Sequence, residues 1–140
     1  MKRFARALCR MFTLFIPLPL AFCSTQTNTP AGGAAKEFGA IVSYAELLEW
    51  LDDTQAETII VDIRRDDEVA SGMVPGAAHI PLADLNARIH ELPKDARIVL
   101  YCRSGARVQT ALPIFKEAGY MQVYNFVSIS NWQGQLEIPL

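Results

Sequence analysis

The chain has 140 residues, 51% of them hydrophobic, which is enough for one domain with a core and leaves little room for a second. Its 13 basic and 15 acidic residues give a formal charge of −2, so it lacks the broad electropositive field that holds nucleic acid. That balance excludes a nucleic-acid partner and points to a small ligand.

Met1-Lys2-Arg3-Phe4-Ala5-Arg6, with Arg10 after it, precedes an apolar run from Met11 to Cys23 broken by Thr13, Pro17 and Pro19. A basic stretch leading into an apolar run is the pattern of an export signal. The run falls short of the ~20 apolar residues that span a bilayer, and its prolines would spoil a core helix. Residues 1–23 are therefore predicted to be a signal peptide, cleaved rather than kept as an anchor, which sends the chain to the periplasm or cell envelope. Two cleavage chemistries compete. Ala21 and Cys23 supply the small residues that an ordinary signal peptidase reads before Ser24, whereas Leu20-Ala21-Phe22-Cys23 has the form of a lipoprotein box, with Cys23 as lipid anchor and sole membrane attachment. Phe22 is bulky where such a box wants a small residue, which favours ordinary cleavage. The polar, small-residue stretch that follows has nothing to bury and reads as a flexible linker over 24–37, with the folded domain over 38–140.

Cys9 leaves with the signal and Cys23 is removed or lipidated, so Cys102 is the only thiol of the domain and no internal disulfide can form. A solitary thiol in an exported protein faces oxidation and mispairing, so its presence calls for a reason. The plain alternative is a small buried hydrophobe.

Within the domain, Ser43 followed by Glu46 forms a capping box, and Tyr44, Leu47, Leu48 and Leu51 then share a helical face. Thr58-Ile59-Ile60-Val61-Asp62 is an uninterrupted β-branched run, as expected of a strand covered on both faces. The charged segment after it is helix-compatible up to Gly72, and Val74-Pro75-Gly76-Ala77 is a turn into the short extended piece Ala78-His79-Ile80-Pro81. Leu82, Leu85, Ile89 and Leu92 give helical spacing stopped by Pro93. Arg97-Ile98-Val99-Leu100-Tyr101 is a second buried strand that delivers Cys102 at its carboxyl end. A helix follows from Arg107 to Ala118, striped by Ala111, Phe115 and Ala118 and stopped by Gly119, and Met121-Gln122-Val123-Tyr124 is a last strand. Strands alternating with helices imply an α/β fold, a parallel sheet flanked by helices, with its ligand site beyond the carboxyl ends of the strands.

Cys102-Arg103-Ser104-Gly105-Ala106-Arg107 joins a strand to a helix in few residues, so its backbone must curl tightly, with Gly105 free to take positive φ. Such a loop turns several N–H groups toward one point. If that point is the sulfur, those amides and the helix dipole favour the thiolate, the form that attacks. Arg103 and Arg107 add cations that would dock a small anion; taken alone, Arg103 is better explained as a solvated surface residue, and it is as a pair flanking a loop cysteine that the two gain weight.

These residues resemble the rhodanese family of single-domain sulfurtransferases, and among them the small periplasmic thiosulfate sulfurtransferases of the phage-shock type. The likeness runs from Val42 to Trp132 through Val61-Asp62-Ile63-Arg64 and Glu68, Gly72-Met73-Val74-Pro75-Gly76-Ala77 with Ile80-Pro81, the strand and loop Val99 to Arg107, Ala118-Gly119-Tyr120, Val123-Tyr124-Asn125 and Trp132. The resemblance implies a rhodanese-like sheet and a two-step exchange. The Cys102 thiolate takes the outer sulfur of a small anionic donor such as thiosulfate, and the persulfide passes it to cyanide or a thiol. It implies no cofactor, gives Asp62 and Arg64 an architectural role, with Arg64 paired to Glu68 or a nearby carboxylate, and is consistent with a monomer. Related phosphatases and arsenate reductases use a longer C-x5-R loop, whereas Cys102 to Arg107 is C-x4-R, a spacing that suits a sulfur atom.

The chain departs from the family at several points. Val108 follows the loop arginine where the family has a capping Ser or Thr, which would cost the cap ~1 kcal/mol. Pro113 falls inside a helix, and Met73 stands where His is frequent, read as a packing change. In Asn125-Phe126-Val127-Ser128-Ile129-Ser130-Asn131-Trp132 a Gly-Gly pair is missing and the spacing is one residue short, at a turn that lines the pocket mouth in the family. His79 and His90 lack any metal-site spacing and read as surface or turn residues. Asp66-Asp67-Glu68 reads as a solvated helix start, and Trp50 and Trp132 as packing. Three functions are left open: a sulfurtransferase, a non-catalytic persulfide carrier or partner-binding module with its contact near Ser128, and a redox-sensing thiol.

Overall fold

The computed structural model describes residues 36–139. The predicted signal peptide, the fate of Cys23 and positions 24–35 of the predicted linker lie outside the described residues. Ser43 caps α1 (Tyr44–Asp52): its hydroxyl accepts from the Glu46 amide at 3.3 Å while the Glu46 carboxylate accepts from the Ser43 amide at 3.0 Å, the reciprocal arrangement of a capping box. The buried face of α1 differs from the expected stripe. Leu48 and Leu51 are exposed, and Tyr44, Leu47 and Trp50 turn to the sheet. The indole explains the rotation: Trp50 meets Tyr124 edge-on at 4.6 Å and lies beneath the Arg97 guanidinium at 5.4 Å, burying more apolar area than a leucine could.

The chain continues through β1 (Thr58–Asp62), α2 (Asp66–Val69), β2 (Ala78–His79), α3 (Leu85–Arg88), β3 (Arg97–Cys102), α4 (Ala106–Glu117) and β4 (Val123–Ser128). The four strands are parallel in the order β2-β1-β3-β4. Alternation along β3 divides the core. Ile98, Leu100 and Cys102 face Leu85, Val108, Ala111 and Phe115 of α3 and α4, while Val99 and Tyr101 face Leu47 and Trp50 of α1. Helices therefore flank both faces, and Cys102 points to the α4 side.

β4 starts later and runs farther than its apolar segment suggested, because the polar Asn125 and Ser128 are themselves buried in the sheet. A register shift between Leu100 and Tyr101 leaves Leu100 opposite Asn125 and Tyr101 opposite Val127. Met73 is buried and forms an antiparallel bridge with Glu137, whose amide and carbonyl bond it at 2.9 and 2.8 Å. Trp132 packs edge-on against Tyr44 at 5.1 Å. α4 continues on both sides of Pro113, which is exposed and cannot donate to the carbonyl one turn back. Pro113→Ala is expected to raise stability by about 1–2 kcal/mol, the restored helical bond and relieved ring clash outweighing the added freedom of the unfolded chain. An unchanged or lower urea midpoint would show that the ring is fully accommodated.

Candidate active site

β3 ends on Cys102, which is wholly buried, and the chain then turns into α4 through Arg103, Ser104 and Gly105. Gly105 takes φ +89°, a left-handed conformation open to glycine at little cost. That turn aims the Gly105 amide back at the Cys102 sulfur, donating at 3.1 Å. On another side the sulfur faces the Val127 carbonyl at 3.9 Å. Of the predicted loop residues, Gly105 thus reaches the sulfur through its backbone, while Arg103, Ser104 and Ala106 are exposed. The Arg103 side chain carries no ion pair or hydrogen bond among the described residues and is available to an anion; its carbonyl is anchored by the Ser128 hydroxyl at 2.6 Å.

Arg107 is not the free cation that the loop suggested. Its guanidinium grips the Glu68 carboxylate in two bonds of 2.6 and 2.8 Å, tying the start of α4 to α2. Arg107 holds the Glu68 carboxyl down at about 2, helped by the Arg65 amide and opposed by partial burial. The Arg107 charge is reinforced first by Glu68 and, more weakly, by the Cys102 sulfur. Arg64, expected opposite Glu68 or a nearby carboxylate, pairs with the nearby one: Asp62, at 2.6 Å, with both side chains buried. It also donates to the carbonyls of Gly72 at 2.7 Å and Glu68 at 3.3 Å. Burial weakens the Arg64 charge, and Asp62 more than offsets it. Tyr101 lies 5.7 Å beneath Arg64, and its hydroxyl accepts from the Val74 amide at 3.0 Å; burial, then the Asp62 carboxylate, pushes its phenol well up. This network joins the segment after β1 to Gly72 and Val74, and none of its hydrogen bonds reaches the Cys102 sulfur.

Val108 is not at the cap. Gly105 is the residue before α4, without a side-chain cap bond, and Val108 is the third helical residue and fully buried, so its cost to the cap is replaced by a gain in core packing. His79 bonds the Arg64 carbonyl at 2.9 Å and His90 is exposed. Sequence reasoning missed Val127 as a neighbour of the sulfur, Ser128 as the loop's anchor and Glu68 as the owner of Arg107. The misplaced end of β4 concealed the first two, and the third needs a contact between residues far apart in the chain.

The pattern of the rhodanese-like domain family matches residues 43–135. A sulfurtransferase of Allochromatium vinosum is 42% identical over 79 residues, covering 56% of this chain and 73% of that protein. A putative sulfurtransferase of Bacillus subtilis is 34% identical over 94 residues, covering 67% of this chain and 90% of its own length. Among solved structures, a human single-domain sulfurtransferase superposes with a TM-score of 0.59 at 25% identity, covering 74% of this chain and all of that one (100%).

Glu68→Gln is expected to lower stability by about 1–3 kcal/mol at neutral pH, between the values of exposed and buried pairs. The folded-state carboxyl lies at about 2, below its ordinary 4.5, so the pair's contribution is complete above that ordinary value and fades as pH falls toward the lower one. Urea unfolding of both proteins from neutral to acid pH checks this: the gap should be constant at first and narrow only on the acid side, and a gap independent of pH would contradict it.

Proposed function

The chain belongs to the rhodanese-like domain family, and on that premise we propose that it is a sulfurtransferase that carries sulfur as a persulfide on Cys102. The observation that supports the reading most is the Gly105 amide donating to the Cys102 sulfur at 3.1 Å, at the carboxyl end of β3 and the start of α4. An amide and a helix start directed at sulfur favour its anionic form. In the first step the thiolate attacks the outer sulfur of a donor such as thiosulfate. The bond between the two donor sulfurs breaks, sulfite leaves with the electron pair, and Cys102 holds a persulfide anion. In the second step cyanide or a thiolate attacks that terminal sulfur and the Cys102 thiolate is regenerated. No proton, metal or external oxidant is needed. Arg103, exposed and unpaired among the described residues, is the cation that docks the donor. The leader of basic and apolar residues supports the periplasm or cell envelope as the place of this work.

One observation favours a second reading, a persulfide carrier that turns over slowly by itself: Cys102 is wholly buried and the Val127 carbonyl occupies one side of its sulfur. Thiocyanate formation from thiosulfate and cyanide separates the two, with the domain run beside Cys102→Ser. The enzyme reading expects multiple turnover that the variant loses entirely; a single charge of sulfur per protein, without turnover even when thiol acceptors are added, would replace it with the carrier. Arg103→Ala is expected to raise KM for thiosulfate about tenfold, the loss of about 1.4 kcal/mol of binding, with kcat little changed; a fall in kcat at constant KM would place Arg103 in the chemical step instead.

A further inference from the structure

Val127 is the one non-glycine residue with positive φ among the described residues, at +68°. A β-branched residue is poorly suited to that conformation, which persists only where the surroundings over-determine it. They do so here. The buried Asn125 side chain accepts from the Val127 amide at 2.7 Å, and the register shift of β4 sets Val127 opposite Tyr101 and Ser128 opposite Cys102. The outcome is a side chain pressed onto the catalytic loop: a Cβ built on Gly105 would stand 2.9 Å from Val127 Cγ1. Gly105 is the residue whose amide reaches the sulfur, and the carbonyl of Val127 lies 3.9 Å from that same sulfur. Val127 therefore closes the Cys102 cradle twice, with a methyl over the loop and with the negative end of a peptide dipole beside the thiol.

From this geometry we infer that Val127 is a specificity-determining residue that narrows the approach to Cys102, so that the site takes slender, unbranched sulfane chains, of which inorganic polysulfide is the simplest, in preference to thiosulfate. The inference rests on the proposed sulfur transfer and specifies its donor class. Thiosulfate carries a tetrahedral sulfonate with three anionic oxygens directly behind the sulfur to be transferred, and that head must enter the cradle for the outer sulfur to meet Sγ. It meets the Val127 methyl sterically. A polysulfide presents one sulfur atom in cross-section. The Cys102 thiolate attacks its terminal sulfur, the adjacent sulfur–sulfur bond breaks, the chain departs one atom shorter with the electron pair, and Cys102 keeps a persulfide anion, so that atoms and charge balance.

The test compares wild type, Val127→Gly and Val127→Ala in the full domain, charged with thiosulfate or with inorganic polysulfide. In parallel, Cys102 is alkylated with slender iodoacetamide and with the broader N-ethylmaleimide. Both variants are expected to raise kcat/KM for thiosulfate relative to polysulfide at least tenfold, and to speed the maleimide reaction more than the iodoacetamide reaction. Alanine keeps a Cβ and the strained backbone, so a shift shared by both variants comes from the lost methyls; circular dichroism shows that each has folded. Unchanged donor and reagent ratios would overturn the inference while leaving sulfur transfer intact. Failure of every protein to take sulfur from either donor would overturn the proposed function and with it the donor preference, and the alkylation ratios would still report whether Val127 controls access.

Discussion

The tight strand-to-helix turn after Cys102 is the constraint on which the rest of the site depends. A thiol at the end of a buried parallel strand is ordinarily inert, since burial penalises its charged form and hides it from reagents. Here the chain returns over three residues, closed by Gly105 at φ +89°, so that a backbone amide donates to sulfur at 3.1 Å. Any side chain at Gly105 would meet both the wrong backbone region and the Val127 methyl. Two ion pairs and a hydrogen bond serve this turn. Arg107 with Glu68 fastens the start of α4 to α2, Arg64 with Asp62 fastens the segment after β1, and Ser128 fastens the carbonyl of Arg103. Both guanidinium groups are committed to carboxylates, which leaves Arg103 as the exposed cation of the loop, without an ion pair among the described residues.

Local signals made most of the fold legible. The capping box at Ser43, the apolar runs of β1 and β3 and the stop at Gly119 each encode their element within a few neighbouring residues, and the observed boundaries agree. Helical spacing alone cannot choose between Leu51 and Trp50 for the buried face of α1, a choice made by Tyr124 and Arg97 across the sheet. The end of β4 is hidden for a related reason: Asn125 and Ser128 look like loop residues, but their side chains bond the Val127 amide and the Arg103 carbonyl. The site divided in the same way. Cys102 and the curl of its loop follow from sequence, whereas the commitment of Arg107 to Glu68 and the closure by Val127 arise from residues distant in the chain.

The strained valine is held in place by its surroundings. Where a glycine could sit at φ +68° freely, this chain places a β-branched residue and holds it there through Asn125. The strain, of order 1–3 kcal/mol, is small against the stability of a domain and large against the differences that separate one donor from another, since about 1.4 kcal/mol is a factor of ten. A fold can absorb the first while its chemistry responds to the second.

The most direct measurement is the intact mass of the domain after charging with a sulfane donor and removal of the excess, followed by peptide mapping and treatment with cyanide. Sulfur carried on Cys102 predicts a gain of one sulfur atom, confined to the peptide containing Cys102, absent in Cys102→Ser and discharged by cyanide as thiocyanate. No gain in mass with either thiosulfate or polysulfide, or an equal gain in the Cys102→Ser protein, would contradict it.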